Sequence, residues 1–425
     1  MVTGHFDASP WPDQPHILSV VERHAAIFFF EGWAGISPTV HNLLRALDRA
    51  GYAAHVLATR NPHPEPDDLG PNIKMDYVRR PGRTRGDGPV RRTLPFRLDF
   101  LIPVVDLAWY GLAYLWRLLS KDYPGWRRGP GIGIDTRGSI VALLRRRLTG
   151  AKFVYLSLEL EEAKEFRRAA GVIRHLERLA YREAEWVIIQ DKERFATLSS
   201  YLAYDHPQVI YLPNSPSGSA DSATTPNERF LRQRLAISEE EFPLIALHAG
   251  MIDPLVMSME LARTFASVDR GCALVLHEHQ RRQPGDPYVE GLRKANGRNL
   301  FLSLEPVPPS QLDDLFVSAS IGLAFYRDES PNFSEIAMAS GKIGFYLKHG
   351  KPILVNALPS LERFVSTHEV GVVIRDPNDP SEMEAAIDTI MGDYERFSGN
   401  ARRCFERELD FDRFVGPVLD VLDRL

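Results

Sequence analysis

Ser340, Gly341 and Lys342 are the residues best suited to hold an anion. They follow a polar loop after the apolar segment 321–325 and precede a run with helical periodicity. A loop that leads into a helix N-terminus offers unpaired backbone N–H groups and the positive end of the helix dipole. Lys342 adds a full charge, and Arg327 is a second cation in the loop. This stretch is predicted to bind an anion such as a nucleotide diphosphate.

Further polar residues are expected around the same ligand. Asn332, Ser334 and Glu335 lie in the loop itself, and Gly250 ends the predicted strand 244–248. His277 and Glu278 follow the predicted strand 272–276 and are expected to line the cleft at the carboxyl ends of the strands. We predict no metal site there, because the sequence places no third ligand near the two histidines at positions 277 and 279.

The first half of the chain offers a second group of candidates. Gly32 and Gly35 follow a buried strand, while Asp135 and Glu159 follow the predicted strands 131–134 and 151–157. The carboxylates are expected to bind hydroxyl groups of a ligand. Two alternatives stay open: the glycines form a plain tight turn, and each acid is a helix cap or first-turn acid.

Buried strands alternate with helices along the chain, which predicts an α/β protein. Helices are expected at 38–50, 138–148, 287–295, 309–318 and 381–391, and strands at 52–59, 186–189, 244–248 and 299–302. Such alternation is typical of parallel, doubly wound sheets with helices on both faces. Residues 215–227, which are small and polar, predict a linker between two such domains.

Composition narrows the function classes. The chain has 425 residues, a formal net charge of −5 and two cysteines. This charge argues against a general nucleic-acid binder, and two distant cysteines provide neither a disulfide framework nor a zinc cluster. The first 18 residues lack a basic and an apolar region, so a cytoplasmic location is expected. Asp410-Phe411-Asp412 is interpreted as a helix cap and not as a metal site.

A basic and aromatic segment stands apart from the rest. Seven arginines occur between positions 79 and 97, and the apolar run 98–119 that follows contains two tryptophans and two tyrosines. Charges inside this run argue against a transmembrane span and favour a soluble or interfacial helix. The segment is expected either to contact an anionic membrane surface or anionic acceptor, or to be a solvated loop followed by a buried helix.

The stretch 340–355, SGKIGFYLKHGKPILV, resembles the S-x-K-[LI]-x-E-Y-[ML]-x-x-G-K-P-[VI]-[IL] motif of retaining GT-B glycosyltransferases of family 4. The segments YLSLE, EWVIIQDKER and YLPNSP resemble a bacterial branch of that family. The resemblance implies a GT-B fold, in which two Rossmann-like domains face each other across a cleft. It implies domains at 1–214 and 228–411, joined by the linker 215–227, with a last helix at about 412–425 that returns to the first domain.

The chain departs from the family at its pair of glutamates, where it carries Ala337 and Phe345. In the family, the loop after strand 321–325 contacts the transferred sugar, and the next helix contacts ribose. Without the ribose acceptor, binding is expected to weaken by about 1–3 kcal/mol unless Glu335 or a water replaces it.

The resemblance implies a glycosyltransferase that acts with retention and without metal or cofactor. It would bind a nucleotide-sugar in the second domain and a sugar, lipid-linked or small-molecule acceptor in the first. The residues expected on the acceptor side are Gly32, Gly35, Asp135 and Glu159. Lys342, then Arg327 and Glu335, are the expected catalytic residues. The protein is expected in the cytoplasm or at the inner face of the membrane. The alternatives are a nucleotide-sugar epimerase of the same fold, and a binding protein that has lost transfer.

Overall fold

The computed structural model describes residues 23–61, 63–79, 102–120, 124–160, 170–218, 225–295 and 297–425. These residues form two separate sheets in which every strand pairing is parallel. The first contains β1 Arg23–Phe29, β2 Tyr52–Thr59, β3 Ile73–Val78, β4 Gly131–Ile134, β5 Phe153–Leu156, β6 Trp186–Ile189 and β7 Val209–Tyr211. The second contains β8 Leu244–Gly250, β9 Cys272–Glu278, β10 Leu300–Ser303, β11 Ile321–Ala324, β12 Ile353–Asn356 and β13 Gly371–Ile374.

The strand orders are β3-β2-β1-β4-β5-β6-β7 and β10-β9-β8-β11-β12-β13. Each strand order reverses direction once, between β1 and β4 in the first sheet and between β8 and β11 in the second. In open parallel sheets, ligands bind in the crevice outside the carboxyl ends of the strands at such a reversal. The topology therefore directs attention to the loops after these four strands.

Helices cover both faces of each sheet, as their apolar stripes require. They are α1 Pro38–Arg49, α2 Ile102–Leu119, α3 Asp135–Thr149, α4 Ala170–Glu183, α5 Lys192–Leu202, α6 Phe230–Leu235, α7 Ser258–Phe265, α8 Pro287–Ala295, α9 Leu312–Val317, α10 Pro331–Ser334, α11 Gly341–Lys348, α12 Pro359–His368, α13 Pro380–Gly392, α14 Tyr394–Cys404, α15 Phe411–Phe414 and α16 Gly416–Arg424. Short 3-10 turns precede α7 and α9 at Pro254–Val256 and Pro309–Gln311, and another forms at Pro124–Trp126.

The last two helices lie against the first sheet. Phe411, Val418 and Leu422 are buried in the same apolar cluster as β1, β2 and α1. Each fully buried aliphatic side chain contributes about 1.5–3 kcal/mol. These contacts agree with the expectation that the end of the chain returns to the first domain, while the exact domain limits stay predictions.

The predicted α/β class with two doubly wound sheets is confirmed. Several predicted elements have the observed bounds, among them β6 and α8. The run 98–119 is helical from Ile102, and no helix in the described ranges combines the length and the hydropathy needed to cross a bilayer. The arginines from position 80 to 97, and residues 219–224 of the predicted linker, lie outside the described residues.

Candidate functional site

Lys342 lies in the first turn of α11, at the reversal point of the second sheet. Its Nζ atom is 3.2 Å from Nε2 of His248 and 5.1 Å from the centre of the Tyr326 ring. These neighbours belong to β8 and to the loop after β11, the two strands that flank the reversal. Gly250 ends β8, and a side chain there would come within 3.5 Å of the ammonium group.

The surroundings of Lys342 compensate its charge poorly. Within the described residues, its ammonium group has no carboxylate partner within 4.0 Å, and burial lowers its pKa to about 7. His248 is fully buried, and burial together with the lysine charge lowers the pKa of its imidazole well below the usual value. The neutral imidazole accepts from Lys342 through Nε2, and Nδ1 has no hydrogen-bond partner. A half-buried cation with a neutral partner favours an anionic ligand.

The N-termini of two helices meet beside this lysine. A Cβ atom at Gly341 would lie 2.7 Å from Cγ of Pro38, so α11 begins in contact with the first residue of α1. The Ser340 side chain does not cap α11 and instead bonds to the Tyr326 hydroxyl at 2.6 Å. The positive ends of the α1 and α11 dipoles therefore lie close together where the two domains touch.

A cavity of about 410 Å³ opens next to this meeting point. Gly35 and Pro38 line it from the first domain, and Phe345 and Lys348 line it from the second. Small-molecule sites usually measure about 300–1,000 Å³ and often lie between domains. The cavity can therefore hold a group of nucleoside size with an attached phosphate at the helix N-termini.

Ion pairs form two walls of this cavity. On one side, Asp68 pairs with Nε2 of His41 at 2.8 Å and with Arg45 at 3.5 Å. On the other side, Asp313 pairs with Lys348 at 2.9 Å and with His349 at 2.8 Å. Hydrogen bonds from His349 and Lys348 hold the pKa of Asp313 at about 2, against the opposing effect of burial, so this carboxylate stays ionised.

Phe345, where the sequence resemblance led us to expect a glutamate, packs against another aromatic residue. Its ring stacks on that of Phe316 with centroids 4.6 Å apart and an angle of 7°, and the residue is 9% exposed. Offset-stacked rings are a favourable aromatic arrangement. This part of the cavity wall is apolar, and it provides no acceptor for hydroxyl groups.

Asn332 and Glu335 connect the two domains. Oδ1 of Asn332 accepts from the backbone N–H of Leu160 at 2.6 Å and from Arg194 at 3.0 Å. The Glu335 carboxylate accepts from the Thr197 hydroxyl at 2.7 Å. Burial raises the pKa of Glu335. Two residues predicted to bind the donor sugar thus form, together with Arg194 and Thr197, a set of contacts that we term the domain clasp.

Asp135 and Glu159 belong to the same region. Asp135 is buried at the start of α3 with φ 54°, and its Oδ1 accepts from the N–H groups of Leu158 and Glu159 at 2.7 and 3.0 Å. The Leu158 carbonyl in turn accepts from Arg194 at 2.9 Å. Asp135 therefore orders the loop after β5, in which the N–H of Leu160, next to Glu159, donates across the interface to Asn332.

His277 and Glu278 lie inside the second domain. Nδ1 of His277 is 2.9 Å from the Ser303 hydroxyl, and burial lowers the pKa of the imidazole to about 3. Glu278 is fully buried and accepts from Arg282 at 2.6 Å and from the Ile252 N–H at 3.1 Å. These interactions order the loops after β8 and β9, so both side chains have structural partners where ligand contacts were expected.

The other predicted residues have local partners. Arg327 forms an ion pair with Glu260 and donates to the Pro254 carbonyl at 2.9 Å. The Ser334 hydroxyl bonds to the Asp328 carboxylate. Gly32 has φ 72°, and a side chain there would clash with the backbone of Thr59, as required for a tight turn. Gly35 approaches the Pro64 carbonyl equally closely and also lines the cavity.

The sequence analysis did not identify His248, Tyr326 and His63 as site residues, and it considered His279 only as a possible metal ligand. The rings of His63 and His279 meet across the domain interface with centroids 5.0 Å apart. Burial lowers the pKa of both, that of His279 to about 3, and the charge of Lys342 adds to the effect on His279. His248 lies near the end of β8, and this position at a strand end was the one sequence feature that could have identified it as a site residue. Among the described residues, no group of three potential ligands could hold a metal ion.

Comparison with known proteins supports the fold. No family model and no curated protein matches the sequence. Sucrose-phosphate synthase from Thermosynechococcus elongatus superimposes with a TM-score of 0.68 at 17% identity, over 95% of this chain and 99% of that one. Anabaena HepE in complex with UDP-glucose gives 0.64 at 14%, over 94% and 100%. The trehalose-6-phosphate synthase OtsA gives 0.65 at 12%, over 95% and 99%. The chain has the fold of these GT-B glycosyltransferases over nearly its whole length.

Proposed function

We propose that this protein transfers a glycosyl group from a nucleotide-sugar to an acceptor. The observation that carries the proposal is Lys342, a cation without an anionic partner where the N-termini of α1 and α11 meet. A diphosphate placed there would receive the ammonium charge and the positive ends of two helices. The nucleoside would occupy the adjoining cavity beside Phe345.

In this proposal, catalysis rests on positioning and on stabilisation of the departing diphosphate. The bond between the sugar and the diphosphate breaks, a bond between the sugar and the acceptor hydroxyl forms, and the hydroxyl proton passes to the departing diphosphate, whose growing negative charge lies near Lys342. Fixed charges and dipoles of this kind lower a barrier because they need no rearrangement during the reaction. Transfer with retention and without a metal or cofactor is part of the proposal.

The nucleotide and the acceptor are also part of the proposal. HepE is described in complex with UDP and with UDP-glucose, so uridine diphosphate is the first nucleotide to test. The acceptor, a sugar or other small or lipid-linked hydroxyl compound, would approach from the first domain. Gly35, in the loop after β1, lines the cavity on that side, and Glu159 directly precedes Leu160, whose N–H donates to Asn332 of the second domain.

The test is to incubate the purified protein with a panel of nucleotide-sugars and to measure released nucleotide and thermal shift. We expect release and a raised melting temperature with at least one donor. Lys342→Ala should lower turnover by about 100-fold or more. Lys294→Ala, an exposed lysine on α8, is the matched control and should retain wild-type turnover.

The outcomes separate the alternatives. A thermal shift without release, with or without added acceptors, would indicate a binding protein. Conversion of the donor into an isomer would indicate an epimerase. If no donor causes release of nucleotide or a thermal shift, the nucleotide-sugar site is refuted. If the Lys342 and Lys294 variants are equally active, Lys342 is not part of the site.

A further inference from the structure

Helix α2 exposes a row of large apolar side chains. Trp116 is 74% and Leu119 is 73% exposed, and Trp109 and Leu112 are about half exposed. Of the large hydrophobic residues classed as exposed in the described ranges, six lie on this one helix. Monomeric proteins rarely leave so many large apolar groups together in water, and such patches usually mark a contact surface.

The exposed residues form one stripe. Positions 105, 109, 112, 116 and 119 are spaced by four and three residues, which places them along a single side of a helix. The opposite side is fixed to the protein. Tyr110 and Tyr114 are fully buried, and their hydroxyls donate to the carbonyls of Leu57 and Trp126. The stripe therefore faces outward because two tyrosines hold the other face of α2.

Basic residues flank this stripe. The Trp109 indole donates to the carbonyl of Arg79 at 2.8 Å, and Arg127 donates to the Leu118 carbonyl at 2.8 Å near the other end of the helix. Arg79, Arg127 and the adjacent Arg128 are exposed. The acidic residue on the neighbouring edge strand, Asp76, is neutralised by Arg117 through a bidentate pair. The stripe itself contains no charged side chain.

We propose that α2 docks on an anionic membrane surface, with the stripe in the headgroup region and the arginines against the lipid phosphates. Tryptophan and leucine on one helix face with arginines beside them are typical of helices that lie in the plane of a bilayer interface. The helix is amphipathic and does not qualify as a span. The proposal concerns a surface remote from Lys342 in sequence and does not depend on glycosyl transfer.

The test is co-sedimentation of the full chain with vesicles of phosphatidylglycerol and phosphatidylcholine, compared with phosphatidylcholine alone. The wild type should bind the anionic vesicles, less strongly at 0.5 M salt, with a blue shift of tryptophan fluorescence. Leu112→Glu combined with Trp116→Glu should weaken binding by about 20-fold or more, because two charges enter the apolar stripe. Met391→Glu changes an exposed apolar residue of the second domain and should bind like the wild type.

A second pair of variants tests the charges. Arg79→Gln and Arg128→Gln should each weaken binding to anionic vesicles about fivefold without changing the melting temperature, since both side chains are exposed. A wild type that does not bind anionic vesicles overturns the proposal. Equal binding to neutral vesicles overturns its electrostatic part. A dimer that Leu112→Glu with Trp116→Glu converts to a monomer would assign the stripe to a second copy of the chain.

Discussion

Lys342 pairs its charge with a neutral histidine and an aromatic ring. A lysine in this setting loses hydration without gaining an ion pair, and for that reason its pKa falls to about 7. The missing interaction is the one that a diphosphate would provide. The residue is thus suited to bind an anion at neutral pH, and a bound anion would raise the pKa of its ammonium group.

This response predicts proton uptake on nucleotide binding. At pH 8 the free lysine is mostly neutral, and an anion beside it raises its pKa, so binding of UDP should take up as much as one proton. Isothermal titration in buffers of different ionisation enthalpy measures this number. Lys342→Met is the control, because the nucleotide's own ionisation is common to both proteins. Equal proton uptake by both proteins would show that the lysine does not face the anion.

The same shift predicts how the stability of the free protein depends on pH. The pKa of Lys342 is lowered from 10.5 to about 7 on folding, so the unfolded chain binds more protons between these values. The free energy of unfolding of the wild type, relative to Lys342→Met, should therefore rise from pH 7 to pH 9. Urea titrations at both pH values test this, and a relative fall would contradict the lowered pKa.

At the scale of elements, α11 is the helix that joins the site to both domains. The Tyr346 hydroxyl donates to the Leu247 carbonyl at 2.6 Å and accepts from the Ala249 N–H at 3.2 Å, which fixes the helix to β8. On its other side, Gly344 lies against Ser215 and Pro216, where the chain leaves the first domain. The small residue lets the helix approach this segment closely.

Gly344→Ala is predicted to destabilise the protein by about 1–3 kcal/mol through overpacking. The added Cβ would lie 2.4 Å from Oγ of Ser215 and 2.7 Å from Cδ of Pro216. Gly399→Ala, inside α14, is the matched control: its nearest neighbour is the flexible end of Arg403 at 3.4 Å. That variant should gain about 0.5–1 kcal/mol from helix propensity. Urea denaturation distinguishes the two, and equal effects would contradict the close contact.

At the scale of the whole molecule, polar contacts hold the two domains together. Asn214 accepts from Thr39 and donates to the Ala339 carbonyl at 2.8 Å. The domain clasp adds contacts of Asn332 in α10, and of Glu335 directly after it, with Arg194 and Thr197 of the first domain. Polar interfaces between domains permit relative movement more readily than apolar ones. Ligand exchange at a site between the domains would involve these contacts.

Asn332→Ala is predicted to loosen the domain clasp. It leaves the Leu160 N–H without its acceptor and removes one of the acceptors of Arg194, at a cost of about 1–3 kcal/mol. Hydrogen exchange of the Leu160 amide should become faster. Ser334→Ala is the control, because that hydroxyl bonds only within the second domain. Unchanged exchange at Leu160 would show that the clasp does not protect the interface.

The sequence by itself determined the α/β class and most of the elements, and it predicted the anion-binding stretch at 340–342. Short buried strands and helical apolar stripes are local patterns, and local patterns reflect local backbone geometry. The resemblance in 340–355 added the GT-B fold. The position of Lys342 at a helix start, next to a strand end, followed from the same reasoning.

The tertiary structure alone decided the partners of these residues. His248 is 94 residues away from Lys342 in sequence, and Asn332 is 138 residues away from Arg194. Glu278, which the sequence predicted to line a ligand, lies at the end of β9 and accepts from Arg282 and from backbone N–H groups. Side-chain partners of this kind depend on how distant segments pack, and a one-dimensional pattern does not contain that information.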